Sequence, residues 1–318
     1  MGLNLNLILF SYSLLGRCVG LLVSKSSSDW TFTLHTSTNK SSTDLSDANP
    51  SARTVMIIHG WKQNGNLRWI GLMKDAYLSR YPMNVIVLDW SSHAKAAYGV
   101  AARAVPKVGE HVAERIYEWE GGGLVDPISL KVIGFSLGAQ IAGHAGQHYR
   151  KLTNGTKLRN IVGIEAAGPS FEARGHHQRL DASDALMVQA IHTSTTGMTA
   201  RYGRVDVYFN ANAGGCGKQQ PACRGDPGVP IDSPMGMTLC NHLRAVAYFI
   251  ESIGSVDFLA APCSCSTFRN RRCEMERVVV VGEHLEPAAE DGAYHLVTSC
   301  KSPFALGAAG LNPSAYKC

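Results

Sequence analysis

Short apolar runs rich in β-branched residues recur along this chain, separated by stretches whose apolar positions return every three or four residues. Thr54–Ile58 and Asn84–Leu88 are such runs, and others follow at Leu130–Ile133, Ile161–Ile164, Val188–Ile191 and Val205–Phe209. Unbroken apolar runs of this length suit strands buried on both faces, as in a parallel sheet. Val105, Val108, Val112, Ile116 and Trp119 mark one face of a helix, with Pro106 placed to start it. Asn66 to Tyr81 predicts a second helix, and Leu243, Val246, Ile250 and Ile253 a third. Strands alternating with helices predict an α/β fold, a mostly parallel central sheet with helices on both faces. Loops that carry chemistry then gather at the carboxyl ends of the strands.

Composition sharpens this picture only at the two ends. A chain of 318 residues, 45% apolar and 17% charged, buries a large core. The formal charge of +5 is spread along its length and gives no nucleic-acid footprint. Leu5 to Leu15 is apolar but too short to span a bilayer, and a Ser/Lys-rich segment follows from Ser24. Residues 1–24 therefore read as a secretory signal peptide, and 25–318 as one domain. Of nine cysteines, eight lie in the last third (216, 223, 240, 263, 265, 273, 300 and 318). Losing a leader that holds Cys18 leaves an even number, as a disulfide framework in a secreted, extracellular protein requires. Cys263-Ser264-Cys265 lacks the matched pairs of a zinc site. Asn39-Lys40-Ser41 and Asn154-Gly155-Thr156 are glycosylation triplets in such a chain.

The chemistry centres on Gly134-Phe135-Ser136-Leu137-Gly138. The run Leu130–Ile133 precedes it, and the small-residue helical stretch Ala139–Ala145 follows it. Strand, G-x-S-x-G, helix is the context of a nucleophile elbow. A serine needs a base, and the base needs an orienting acid. In α/β-hydrolases these follow in the order Ser, acid, His. Glu165, closing the run Ile161–Ile164, and His242 fit that order, while His59 and His192 also follow strands and compete for the base. An oxyanion hole would use the amide of Leu137 and one from His59-Gly60-Trp61, with Trp61 the expected donor.

Seven motifs in order now carry a resemblance. They are Ile58–Trp61, Asn84–Trp90, Gly134–Ala139, Gly163–Pro169, Arg179–Ala185, Val205–Asn210 and Cys240–Ala245. The chain resembles the pancreatic lipase family, close to the single-domain lipases and phospholipases A1 of invertebrates, from about Phe32 to Gly307. The resemblance implies His242 as base and hydrolysis of lipid carboxyl esters, triacylglycerol or phospholipid, at a membrane or lipid-droplet surface. It also departs from the family. Glu165-Ala166 stands where relatives have Asp-Pro, so the extra methylene must be accommodated by a backbone shift or another rotamer. Asp184 and Asp206 are the fallback acids. Phe135 and Gln140 replace histidines, neither with a triad role.

Further expectations rest on the same resemblance. Arg179, Asp181 and Asp184 match a structural calcium loop of some relatives, and two carboxylates three apart suit a hard cation. No cofactor is expected in the reaction itself. A disulfide-closed lid implies Cys223–Cys240 first and Cys216–Cys240 second, and Cys263–Cys273 resembles another family pair. Three prolines and three glycines between Arg224 and Leu239 predict a loop rather than an amphipathic helical lid. Arg224-Gly225-Asp226 reads as a chance tripeptide, not an integrin motif. With the chain ending near Cys318, no C-terminal β-sandwich and no protein cofactor are expected. Some relatives keep the fold and lose the serine, so an inactive lipid carrier of yolk-protein type is the alternative.

Overall fold

The computed structural model describes residues 29–37, 41–211, 216–223 and 236–315. The expected leader, Asn39, the Arg-Gly-Asp tripeptide and Cys318 lie outside the described residues. Eleven strands form one sheet: β1 (Thr31–Thr36), β2 (Ser41–Ser42), β3 (Thr54–Ile58), β4 (Asn84–Asp89), β5 (Leu130–Phe135), β6 (Leu158–Ile164), β7 (Ala185–His192), β8 (Val205–Phe209), β9 (Leu259–Pro262), β10 (Val279–Val280) and β11 (Gly292–Leu296). Their order is β10-β9-β11-β8-β7-β6-β5-β3-β4-β1-β2. From β4 across to β11 every neighbouring pair is parallel, and antiparallel strands flank both ends. The six helices are α1 (Arg68–Leu78), α2 (Ser91–Ala94), α3 (Tyr98–Gly121), α4 (Leu137–Leu152), α5 (Gly236–Ser252) and α6 (Cys265–Arg269).

Successive side chains of a strand point to opposite faces, so each apolar run feeds two cores. Met56, Ile58, Ile86, Leu88 and Val132 pack against Val105, Val112 and Ile116 of α3 and Ile141 and Tyr149 of α4. Val55, Ile57, Val85, Val87 and Ile133 meet Ile70 and Tyr77 of α1 and Val246 and Phe249 of α5 on the other face. Strand runs without alternation are thereby explained: both faces are covered.

Two helix boundaries differ from expectation. Pro106 does not start α3 but lies inside it, with the helix beginning at Tyr98. A helix-interior proline costs about 3 kcal/mol or more. Complete burial of Ala101, Ala102 and Val105 offsets it at about 0.8 kcal/mol for each methyl-sized group and about 1.5–3 kcal/mol for a valine. Pro106 itself is exposed to solvent. Likewise α5 begins at Gly236, so the last four residues of the expected loop, 236–239, are helical and His242 stands one turn and more inside the helix.

A buried ionic cluster closes the amino edge of the sheet. Glu283 accepts from Lys131 at 2.7 Å, from Arg53 at 3.3 Å and from the Tyr77 hydroxyl. It ties β3, β5 and α1 to the C-terminal segment. Disulfides Cys216–Cys265, Cys223–Cys240 and Cys263–Cys273 staple the last third. The first-choice lid pair and the Cys263 pair match expectation. Cys216 joins Cys265 and not Cys240, because Cys240 is already taken by Cys223.

Candidate active site

At the end of β5 the chain turns through Ser136 with φ 56° and ψ −120° and enters α4 at the next residue. A non-glycine residue in that region costs on the order of 1–3 kcal/mol and persists only where its surroundings fix it. They do so here. Its amide donates to Ile164 O at 3.0 Å, and its carbonyl accepts from Ala139 and Ala167, each at 3.1 Å. The two glycines are obligatory for space. A Cβ on Gly134 would lie 2.2 Å from Gly138 O, and one on Gly138 2.3 Å from Ile58 O.

Glu165 stands one strand over, immediately after β6, and is 1% exposed. Its φ is 49°, a left-handed conformation that a non-glycine residue seldom adopts. Oε2 accepts from His242 Nδ1 at 2.8 Å and from the Ser194 hydroxyl, and Oε1 accepts from the amides of Ser194, at 3.0 Å, and Thr193. Burial alone would raise this carboxyl. The bond and field of His242, with the Ser194 hydroxyl and the Thr193 amide, outweigh it and hold the group below its ordinary value. His242 arrives from α5, and its ring packs at 4.6 Å on Phe135, the residue before Ser136. Phe135 therefore bears on the imidazole directly, which its sequence position gave no reason to expect.

The loop after β3 lies against the same serine. A Cβ on Gly60 would meet Ser136 Cβ at 3.0 Å, so the tripeptide His59-Gly60-Trp61 passes beside the hydroxyl. The Trp61 indole donates to Ala96 O at 2.8 Å. Among the described residues neither the Trp61 nor the Leu137 amide donates to a protein acceptor. Leu137 is the first residue of α4, where helix amides have no intrahelical partner and the dipole favours negative charge.

The competing residues are engaged elsewhere. His59 accepts the Trp90 amide at Nε2 (3.1 Å) and reaches Gly60 O at Nδ1 (2.9 Å). His192 uses Nε2 on Asp206 at 2.9 Å and Nδ1 on Met198 O at 3.0 Å, which commits the fallback acid Asp206 as well. Arg179, Asp181 and Asp184 precede β7 in a segment that runs beside α4, Leu180 near Gln140 and Asp184 near Gly146. Asp181 is held by the Ser183 amide and His176, with the Arg179 guanidinium 3.9 Å away. Asp184 is buried, and burial, with the charge of Asp181 adding to it, pushes its carboxyl up to about 8 despite bonds from the Asp181 amide and Gln147.

Several residues of the site were not singled out by the sequence. Thr193 and Ser194 follow β7 at the same sheet edge as Glu165, and a polar Thr-Ser pair after an apolar strand was the signal available. Gly197 leaves the space the longer acid needs, since a Cβ there would lie 2.9 Å from Glu165 Oε2. Ala166 in place of proline keeps an amide that donates to the Tyr202 hydroxyl at 3.2 Å. Gln140 binds Ala167 O at 2.9 Å and accepts the Leu180 amide at 2.7 Å, fixing the loop behind Glu165.

A mostly parallel sheet between helices, with a strained serine at a strand-to-helix turn and a Glu–His pair beside it, defines an α/β-hydrolase. A model of the lipase family matches residues 16–304. The chain belongs to that family. It is 32% identical over 283 residues to hepatic triacylglycerol lipase of Oryctolagus cuniculus, covering 80% of this chain and 54% of that protein. Phospholipase A1 member A of Bos taurus is 31% identical over 276 residues, covering 81% and 57%. Lipoprotein lipase of Homo sapiens is 34% identical over 235 residues, covering 69% and 47%. The chain spans about half the length of the curated relatives it matches.

Asp184 gives a pH prediction. Its folded value of about 8 exceeds the ordinary 3.8, so the native state holds the extra proton between those values. Its contribution is full below pH 4 and is lost as pH rises toward 8. Asp184→Asn keeps the amide-accepting oxygen without the charge. Its stability gain over the parent should grow from pH 5 to pH 8, to on the order of 1–3 kcal/mol by urea unfolding. A difference that is flat in pH would contradict this.

Proposed function

We propose that this chain is a secreted serine hydrolase that cleaves lipid carboxyl esters through Ser136, His242 and Glu165. The observation that carries the reading is the 2.8 Å bond from His242 Nδ1 to a buried, ionised Glu165, on an imidazole packed against Phe135. With Nδ1 donating to Glu165, the Nε2 lone pair is the one free to take a proton. As an ester carbonyl approaches Ser136, Nε2 takes the hydroxyl proton and the Oγ–C bond forms. The carbonyl pair moves onto oxygen, where the amides of Trp61 and Leu137 donate to it. Collapse breaks the ester C–O bond, and the alcohol leaves with the proton from Nε2. Water then repeats the sequence on the acyl-enzyme, releasing the fatty acid and restoring Ser136.

Relatives named for triacylglycerol and for phospholipid both match this chain, which supports a lipid ester as the substrate class. The ester would be met at a membrane or lipid-droplet surface, and the Cys223–Cys240 bond ties Cys240, two residues before His242, to Cys223. The disulfides among the described residues favour an oxidising, extracellular compartment. Among the described residues no helix is long and apolar enough to cross a membrane.

Two variants test the reading on emulsified triacylglycerol and on phospholipid vesicles. Ser136→Ala should lower kcat/KM by about a thousandfold or more on whichever ester is turned over. Residual activity above about a tenth would assign the nucleophile elsewhere, and no turnover of either ester by the parent protein would favour a lipid carrier. Gly197→Ala crowds Glu165 without touching the serine, and should lower kcat by about 10- to 100-fold with little change in KM. An unchanged kcat would remove Glu165 from its role.

A further inference from the structure

Ser136 and Glu165 stand at the ends of neighbouring strands, β5 and β6, whose ladder fixes their spacing. His242 arrives on α5, which rests on the sheet through apolar side chains such as Val246 and Phe249. Apolar contact is non-directional and does not by itself fix a helix along the surface it covers. A catalytic constellation, however, has to be held to within about 0.5 Å. Directional bonds between α5 and the strand ends must supply that precision.

Thr193, the residue after β7, is fully buried and meets three separate segments. Its amide donates to Glu165 Oε1, and its hydroxyl donates at 2.7 Å to the backbone carbonyl of Asn241, the residue before His242. Its own carbonyl accepts from Gln220 Nε2 at 2.9 Å. Gln220 closes a ring, because its amide donates to Asn241 Oδ1 at 2.7 Å. Gln220 is itself fixed, with Oε1 accepting from Asn210 at 2.8 Å and from the Tyr248 hydroxyl at 3.1 Å. The Cys223–Cys240 disulfide joins the same two segments covalently, shortly after Gln220 and immediately before Asn241.

The hydroxyl bond is not needed to satisfy Asn241. That residue lies inside α5, where its carbonyl has a donor one turn on, and a carbonyl oxygen carries two lone pairs. Thr193 takes the second. What it adds is position. One residue holds the acid by its amide and, by its hydroxyl, the peptide plane that leads into the base.

We propose that Thr193 is a positioning residue for the ester hydrolysis described above, setting the separation of Glu165 from His242 by bonding to both sides at once; this rests on that reading of the site. Without the hydroxyl, α5 keeps its apolar packing and its disulfide but loses a directional tie to the strand end beside Glu165. A displacement of about 1 Å among reacting groups can cost about a hundredfold in rate, so a partial loosening is measurable.

Thr193→Val keeps the side-chain shape and the amide bond to Glu165 and removes only the hydroxyl. It leaves no buried acceptor unpaired, since the Asn241 carbonyl retains its helical donor. Labelling of Ser136 by a p-nitrophenyl phosphonate, per folded protein by circular dichroism, should slow about tenfold in Thr193→Val. Thr193→Ser, which restores the donor, should recover most of that loss. In a Glu165→Ala background the same valine should cost about threefold at most, because the group it aligns is gone. A tenfold cost in both backgrounds would overturn the coupling and make Thr193 a packing residue. So would labelling of Thr193→Val at the parent rate, whereas no labelling of Ser136 in the parent would overturn the reading of the site and the coupling with it.

Discussion

A carboxylate buried at the end of β6 stays charged only if donors converge on it. Born-type desolvation of such a group is worth several kcal/mol even after relaxation. At Glu165 the compensation comes from four hydrogens: the imidazole of His242, the Ser194 hydroxyl, and the amides of Thr193 and Ser194. Three of these four belong to the turn after β7, so the acid is set by its neighbouring strand as much as by its own. The fourth is the imidazole that the proposed mechanism uses as its base. The stability of the charge and the aim of the imidazole are thus one arrangement, and neither survives loss of the other.

The parallel sheet makes that arrangement attainable. Parallel strands end together, so the turns after β3, β5, β6 and β7 deliver Gly60, Ser136, Glu165 and Ser194 to one edge. The approach is tight enough that backbone touches backbone. Gly134 and Gly138 hold the elbow against Ile58, and a Cβ on Gly60 would press on Ser136 Cβ at 3.0 Å. His242 alone comes from outside the sheet, on α5, and the Cys223–Cys240 bond fixes the helix one half-turn before it. Charges unrelated to the chemistry lie elsewhere. The Glu283 cluster closes the amino edge, and Asp184 sits before β7.

Much of this was legible because it is local. Six apolar runs named six of the seven parallel strands, and the elbow serine, Glu165 and Trp61 each follow such a run directly. β11 was missed, since Gly292-Ala293-Tyr294-His295-Leu296 carries too little apolar bulk to read as a buried strand. The start of α3 was misplaced for a tertiary reason: burial of Ala101 and Ala102 outweighs the proline. Partners that act across the sheet left no local trace. Ser194 and Gly197 serve an acid about thirty residues upstream, and the Lys131–Glu283 pair joins segments more than a hundred residues apart. Glu165-Ala166 looked like a defect in a pattern, whereas the fold shows its complement. Gly197 yields the volume, and the Ala166 amide gains a bond that proline would forfeit.

The account reduces to whether the Ser136 hydroxyl is made nucleophilic by His242. Reaction with a p-nitrophenyl phosphonate, followed by mass spectrometry of the digested protein, tests that without choosing a substrate. One equivalent of adduct on Ser136 in the parent protein is predicted, with the rate of labelling falling at least about a hundredfold in His242→Ala. An adduct on another residue, or labelling of Ser136 at the same rate without His242, would contradict it.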